Sequence, residues 1–241
     1  MKPADKGKIH FVVTAGPTRE FIDPVRFLSN PSTGRMGFAV ARAAARSGHG
    51  VTLVAGPVVL KTPAGVRRVD VVSARDMLAA VDSAIDGALE ADPSARVVFV
   101  ATAAVADWRP AECAATKLKK AQMDGVLRLV RNPDILASVS RRLGCGKDPS
   151  CRVTLVGFAA ETGDAIPEAR RKCREKGLSM IVANDVTEKG AGFGTDTNRV
   201  TLLRSVGSVE RLPLMTKLAV ARRIVRECGA LQCGFRRPSF L

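Results

Sequence analysis

Ile9-His10-Phe11-Val12-Val13-Thr14-Ala15 runs directly into Gly16-Pro17-Thr18, and the reading of this junction decides the fold. Seven residues rich in β-branched and aromatic side chains, ended by a Gly-Pro pair, predict a strand that stops at a turn. A secretory leader would occupy the same place behind the early lysines. The apolar part is too short for one, contains His10 and Thr14, and meets no small-residue cleavage pattern. It reads instead as a first strand, apolar on both faces as a buried parallel strand requires.

Outward from this strand, similar runs recur at Val51–Ala55, Arg96–Ala103, Val153–Phe158 and Met180–Ala183. Between and after them, helical spacing covers Met36–Arg46, Ala74–Glu90, Pro133–Arg142, Gly163–Glu175 and Met215–Cys228. Strands alternating with helices of this length predict an α/β fold: a doubly wound, Rossmann-like, mostly parallel sheet. Val200–Leu203 and Val209–Leu212 flank Gly207-Ser208, which predicts a late β-hairpin and an antiparallel edge. One domain over residues 1–230 is expected, followed by a basic tail, 231–241, that carries Arg236 and Arg237 and has no assigned function.

The chain of 241 residues is 46% hydrophobic and 25% charged, a balance that supports a folded core and excludes a disordered chain. Its longest nearly unbroken apolar run, Val97–Ala106, is about half the ~20 residues of a membrane-spanning helix, so no membrane span is expected. Lysine and arginine number 38 against 23 acidic residues, a net charge of +15, which first suggests nucleic acid. Against that, the chain has nine Phe, one Trp and no Tyr, and so few aromatic platforms for stacked bases. Nucleic acid is therefore the alternative partner and not the leading one. The six cysteines never form a CxxC pair, and neither histidine has metal-ligand company. Reduced thiols and a cytoplasmic location are expected, with no metal ligands assigned.

Two segments break the alternation. Residues 17–34 are polar with three prolines, and residues 107–132 concentrate Lys117, Lys119, Lys120, Arg128 and Arg131 without helical period. Both follow the carboxyl end of a predicted parallel strand, where open α/β sheets form their ligand crevice, and long irregular loops there tend to be functional. In Asn30-Pro31-Ser32-Thr33-Gly34-Arg35-Met36-Gly37, a polar loop enters an Ala-rich helix. Free N–H groups at such a helix start, with Ser32, Thr33 and Arg35, could seat phosphate; equally, Ser32 or Thr33 could cap the helix while the glycines allow close packing. Asp107, after the small residues Ala103-Ala104-Val105-Ala106, could accept from a ribose or base, contact magnesium, or cap the turn before Pro110. Lys172 and Lys176 are four apart and share a helix face, suited either to a polyanion or to solvent.

Read together, eight blocks in order resemble phosphopantothenate-cysteine ligase of coenzyme A biosynthesis, in its bacterial CTP-dependent form. They are Thr14–Glu20, Asp23–Arg26, Ser29–Gly37, Ala103–Asp107, Lys117–Lys120, Asn132–Ile135, Gly157–Thr162 and Val182–Asp185. The resemblance implies a reaction in two halves. The carboxylate of 4′-phosphopantothenate attacks the α-phosphate of a nucleoside triphosphate, releasing pyrophosphate; the amine of L-cysteine then displaces the nucleotide. It also implies roles for residues. Asn30 and Lys117 are catalytic, and Arg26, Asn30, Ala103 and Ala104 bind substrate. Ser32, Gly34, Gly37, Asp107, Lys117, Asn132, Pro133, Asp134, Ile135, Phe158, Lys172 and Lys176 bind nucleotide, and Lys119 and Lys120 belong to a flap. Mg²⁺ and CTP are the implied cofactor and co-substrate, and a homodimer the implied assembly. The flavin-dependent decarboxylase domain of many relatives is absent from the sequence, so no flavin is expected and a separate decarboxylase is a candidate partner. Trp108 stands where Tyr is frequent and Arg35 where Lys is frequent. A nicotinamide dehydrogenase, the third reading, lacks the glycine fingerprint after the first strand.

Overall fold

The computed structural model describes residues 9–119, 125–148, 150–161, 166–185 and 194–231. β1 (Ile9–Ala15) leads through a hairpin, β2 (Arg19–Phe21) and β3 (Phe27–Ser29), into α1 (Arg35–Arg46), β4 (Gly50–Ala55) and β5 (Arg67–Asp70). α2 (Ala74–Ala91) then carries the chain back to β6 (Arg96–Ala101), on the other side of β1. A second small pair, β7 (Trp108–Pro110) and β8 (Leu129–Arg131), brackets the basic loop ahead of α3 (Ile135–Leu143), β9 (Val153–Glu161), α4 (Ile166–Glu175) and β10 (Met180–Asp185). β11 (Thr197–Asn198), β12 (Thr201–Arg204), β13 (Val209–Arg211), β14 (Met215–Thr216) and α5 (Lys217–Ala230) complete the fold.

Eight strands form one sheet in the order β13-β12-β10-β9-β6-β1-β4-β5. The six from β10 to β5 are parallel, and β12 and β13 add the antiparallel edge expected from the Gly207-Ser208 hairpin. The direction of winding reverses at β1, between β4 and β6, so a crevice opens at the carboxyl ends of these strands.

Alternation along the strands builds two cores. Phe11, Val13, Val98 and Val100 face α1 and α5, whereas Val12, Val97, Phe99 and Leu155 face α2, α3 and α4. Phe11 and Phe99 are fully buried, each contributing about 1.5–3 kcal/mol relative to an exposed ring. No helix among the described residues is long and apolar enough to cross a membrane.

The departures from the sequence expectations sit at element ends, where local hydrogen bonds outweigh propensity. Expected to reach Ala103, the third strand stops at Ala101 because the Thr102 hydroxyl donates to the Thr14 carbonyl (2.5 Å) and the Ala103 N–H donates to Thr14 Oγ1 (3.2 Å). α3 begins at Ile135 and not at Pro133, since Asp134 caps it by accepting from the Ala137 N–H (2.9 Å). Met215 pairs with Asn198 in a small ladder, and Thr216 caps α5. Residues 163–165 of the expected fourth helix and the tail from 232 lie outside the described residues. β5 was not expected: Arg67-Arg68-Val69-Asp70 is a polar edge strand with no apolar alternation to announce it.

Candidate active site

The crevice at the β1–β6 switch is a cleft of about 530 Å³, within the usual range of small-molecule sites. Its floor is the segment Ala101–Asp107. Ala104 is held by its N–H to the Gly16 carbonyl (2.9 Å). The buried Thr18 hydroxyl accepts from the Ala106 N–H (3.0 Å), and the Asn132 amide donates to the Ala106 carbonyl (2.8 Å). Small side chains and a backbone pinned on both sides give a ligand close access to a surface that does not have to reorganise.

α1 supplies one wall. Gly34 is its N-cap at φ +75°, and no side chain caps the helix. The capping alternative for Ser32 and Thr33 is therefore not realised, and the first N–H groups of α1 carry their partial positive charge toward the cleft. Gly37 makes this approach possible. A Cβ there would lie 2.4 Å from Thr102 Oγ1, 2.5 Å from Ala15 Cβ and 2.8 Å from the Thr14 carbonyl.

Asn30 reaches across from the first loop. Its amide nitrogen donates to the carbonyls of Ala104 (3.2 Å) and Val105 (3.1 Å), and the residue lines the cleft. Opposite, Lys172 of α4 and Lys176, just past its end, both line the cleft. Lys176 lies 2.6 Å from Asp134, and Lys172 lies 3.6 Å from Glu168. Burial opposes ionisation of Asp134, but Lys176 and the Ala137 N–H outweigh it and hold the carboxyl below its ordinary range.

The cleft brings together Asn30, Ser32, Gly34, Gly37, Ala103, Ala104, Asp107, Asn132, Pro133, Asp134, Ile135, Phe158, Lys172 and Lys176. The expected residues Arg26, Lys117 and Lys119 do not line it. Arg26 donates to buried Asp23 (Nε–Oδ2 3.0 Å) and to the Leu118 carbonyl (3.1 Å), while Asp23 accepts from the Leu118 N–H (3.2 Å). This unit fastens the basic loop at Leu118 and leaves Lys117 and Lys119 exposed on either side. The Arg26 side chain, helped by backbone donors, keeps Asp23 far below the ordinary carboxylate range. Lys120 lies outside the described residues.

Residues that the sequence reading did not select also face the cleft. Lys217, nearly buried at the start of α5, donates to the Thr195 carbonyl (2.6 Å). Burial, reinforced by Arg35, lowers its pKa. Asn198 is 4% exposed, and its carbonyl oxygen has no hydrogen-bond partner among the described residues. A lysine in the first turn of a helix opposes the helix dipole; that was the available sequence signal for Lys217. Asn198 carried none. With Arg35, the cleft holds four cations, Arg35, Lys172, Lys176 and Lys217, against two carboxylates, Asp107 and Asp134. Such an arrangement suits a polyanionic ligand.

The family described as DNA/pantothenate metabolism flavoprotein C-terminal domain matches residues 6–231. The chain is 47% identical over 223 residues to the coenzyme A biosynthesis bifunctional protein CoaBC of Bacillus subtilis, covering 92% of this chain and 51% of that protein. It thus spans about half the length of the curated relatives it matches. A crystal structure of the C-terminal domain of a CoaBC protein superposes with a TM-score of 0.73 at 41% identity, covering 93% of this chain and 95% of that one. A Cab2 mutant solved in complex with phosphopantothenate-cysteine shares the fold, with a TM-score of 0.67 at 14% identity over 92% of this chain and 86% of that one. Matched over nearly its whole length, the chain belongs to the DNA/pantothenate metabolism flavoprotein C-terminal domain family.

Proposed function

We propose that the chain is a phosphopantothenate-cysteine ligase of coenzyme A biosynthesis that uses CTP as its co-substrate. The observation that carries this reading is the convergence of Arg35 of α1, Lys172 of α4, Lys176 just after it and Lys217 of α5 onto a cleft whose floor is uncharged over Ala101–Ala106 and pinned. A triphosphate, a phosphate ester and a carboxylate repel one another in water. Oriented cations and helix N–H groups offset that repulsion without reorganising during the reaction. Nucleic acid would call for a continuous basic surface, whereas these four cations point into one cleft.

In this reading the uncapped start of α1, Lys172 and Lys176 hold phosphate oxygens, Asp107 recognises the sugar or base, and Asn30 orients the acyl-nucleotide. Lys117 and Lys119 close over the site from the loop anchored at Leu118. Among the described residues, no group of three His, Cys, Asp or Glu side chains is placed to hold a metal. Mg²⁺ would be carried mainly by triphosphate oxygens and water, with Asp107 as the candidate protein ligand; the ion would spread the triphosphate charge. A homodimer is part of the proposal. Its support is the apolar exposure of Phe21, Phe27, Trp108 and Leu129 on the two small hairpins, which pack together where β2 meets β7.

Incubation of the full chain with 4′-phosphopantothenate, L-cysteine, Mg²⁺ and either CTP or ATP tests the reading. Stoichiometric pyrophosphate and amide are expected, with CTP strongly preferred. Neither product with either nucleotide would overturn the ligase; equal specificity constants would remove only the CTP preference.

A further inference from the structure

Outside the cleft, two thiols of the described residues approach each other at the far end of α3. Cys145 and Cys151 flank the turn that joins α3 to β9, and their sulfur atoms are 2.9 Å apart. A disulfide bond is ~2.05 Å long, so little movement separates this contact from a bond. The Val153 carbonyl oxygen lies 3.8 Å from Cys145 Sγ and 3.6 Å from Cys151 Sγ. The turn itself lies at the surface, with Lys147, Asp148 and Ser150 exposed.

Chemistry separates this pair from the other buried thiols. Burial pushes Cys173 up to about 11 and Cys228 up to about 12, so both are protonated and poorly reactive at neutral pH. The hydrogen bond from Cys145 lowers the Cys151 thiol below its ordinary value, against burial and the nearby Asp148 carboxylate. That shift favours the thiolate, the attacking form in thiol–disulfide exchange. The sequence rules pass over the pair because its spacing of six is not that of a CxxC motif.

We infer that Cys145 and Cys151 are a redox modification site: a dithiol that a low-molecular-weight disulfide such as oxidised glutathione converts reversibly into an intrachain disulfide. The Cys151 thiolate attacks one sulfur of the small disulfide and expels one small thiolate, giving a mixed disulfide at Cys151. Cys145, losing its proton, then attacks Cys151 Sγ and expels the second small thiolate. The two protein thiols are oxidised by two electrons, and their two protons end on the two released small thiols.

The position links the site to the cleft. The Cys145 carbonyl packs against Gly177, where a Cβ would come within 2.5 Å of it. Gly177 directly follows Lys176 and the end of α4. The bond would therefore fasten the turn on which the cleft-lining lysine helix ends.

Equilibration of the full chain in buffers of graded reduced-to-oxidised glutathione ratio, followed by acid quench, alkylation and peptide mapping, tests the inference. Expected is a peptide pair joined through Cys145 and Cys151, lighter by two hydrogens, about 2 Da, and restored by dithiothreitol. Cys145→Ser should instead trap Cys151 as its glutathione mixed disulfide, and Cys113→Ser should leave the intrachain bond unchanged. Recovery of Cys145 and Cys151 as free thiols while exposed Cys113 is glutathionylated would overturn the inference. Pairing of either cysteine with a different partner would overturn it equally. The mapping reads the unsubstituted chain, so a variant that fails to fold leaves the test intact, and ligase activity plays no part in it.

Discussion

The two long loops that meet at the cleft are built in opposite ways. The loop after β1 spends its polar groups internally: Thr18, Glu20 and Asp23 are buried, and the Glu20 carboxylate accepts from the Ala74 N–H at the start of α2 (2.9 Å). The loop after β6 is equally fixed over Ala103–Asp107 but then runs out to exposed Lys117 and Lys119, held at Leu118 by Asp23 and Arg26. A rigid floor and a tethered, solvated rim divide the work. In the proposed ligase the floor would fix the reacting groups, and the rim would supply charge that follows a change in the ligand. Substitutions in the floor should therefore affect folding and chemistry together, and those in the rim chemistry alone.

Gly37→Ala should have the largest effect. The new Cβ would meet Thr102, Ala15 and the Thr14 carbonyl at 2.4–2.8 Å, so α1 must move away from the floor. Overpacking of this kind costs about 1–3 kcal/mol, and pyrophosphate release should fall with the thermal midpoint. Gly87→Ala is the control, because a Cβ there meets nothing within 4 Å and it lies inside α2. It should stabilise by about 0.5–1 kcal/mol. Destabilisation by both would show that helix glycines here are not distinguished by packing.

Asn30→Ala comes next, at the junction of floor and ligand. If the amide acts chiefly on the acyl-nucleotide, pyrophosphate release persists while amide formation slows roughly 10- to 100-fold, the equivalent of about 1.5–3 kcal/mol lost in one transition state. Rapid-quench measurement of both products decides. Equal losses in both steps would assign Asn30 to holding Ala104 and Val105 and not to the chemistry.

The fold was legible because it rests on periodicity. Strands such as Ile9–Ala15 are apolar on both faces, and Ala74–Ala91 keeps Met77, Val81 and Ile85 at helical spacing. Most of the cleft was legible through motif blocks, since Asn30, Asp107 and Asp134 lie in blocks whose order along the chain carries the resemblance. Arg26, which the resemblance implies binds substrate, donates to Asp23 and, 92 residues away, to Leu118. What escaped depended on long-range placement. Lys217 and Asn198 enter the cleft where β11 pairs with β14 beside α5, a meeting that no local pattern encodes.

Asp23 tests the tether between the loops through pH. Its carboxyl is depressed in the folded chain, so its contribution is fully present above the unfolded value of ~3.9 and is lost as pH falls below it. Asp23→Asn should be less stable than the parent at pH 7, and the gap should narrow progressively as the pH is lowered from 5 toward 2. A gap that stays constant across that range in chemical denaturation would detach Asp23 from the acid response. The size of the gap at pH 7 then ranks the tether against the floor.

Lys117→Gln should have the smallest effect on stability and is the sharpest test of the rim. The side chain is exposed and lies outside the cleft lining, so removing its charge should change stability by no more than about 0.5 kcal/mol. If the loop anchored at Leu118 closes over bound nucleotide, the same substitution removes a cation from phosphate oxygens that would otherwise be poorly screened. Activity at subsaturating CTP should then fall while the thermal midpoint without ligand stays put. Salt gives a second readout: added KCl should weaken the parent more than the variant, because the variant has already lost the screened interaction. Unchanged kinetics with an unchanged midpoint would make Lys117 an ordinary solvated lysine and move the site's charge entirely onto Arg35, Lys172, Lys176 and Lys217. A falling midpoint would instead show that the rim is as structural as the floor, and the division between the two loops would not hold.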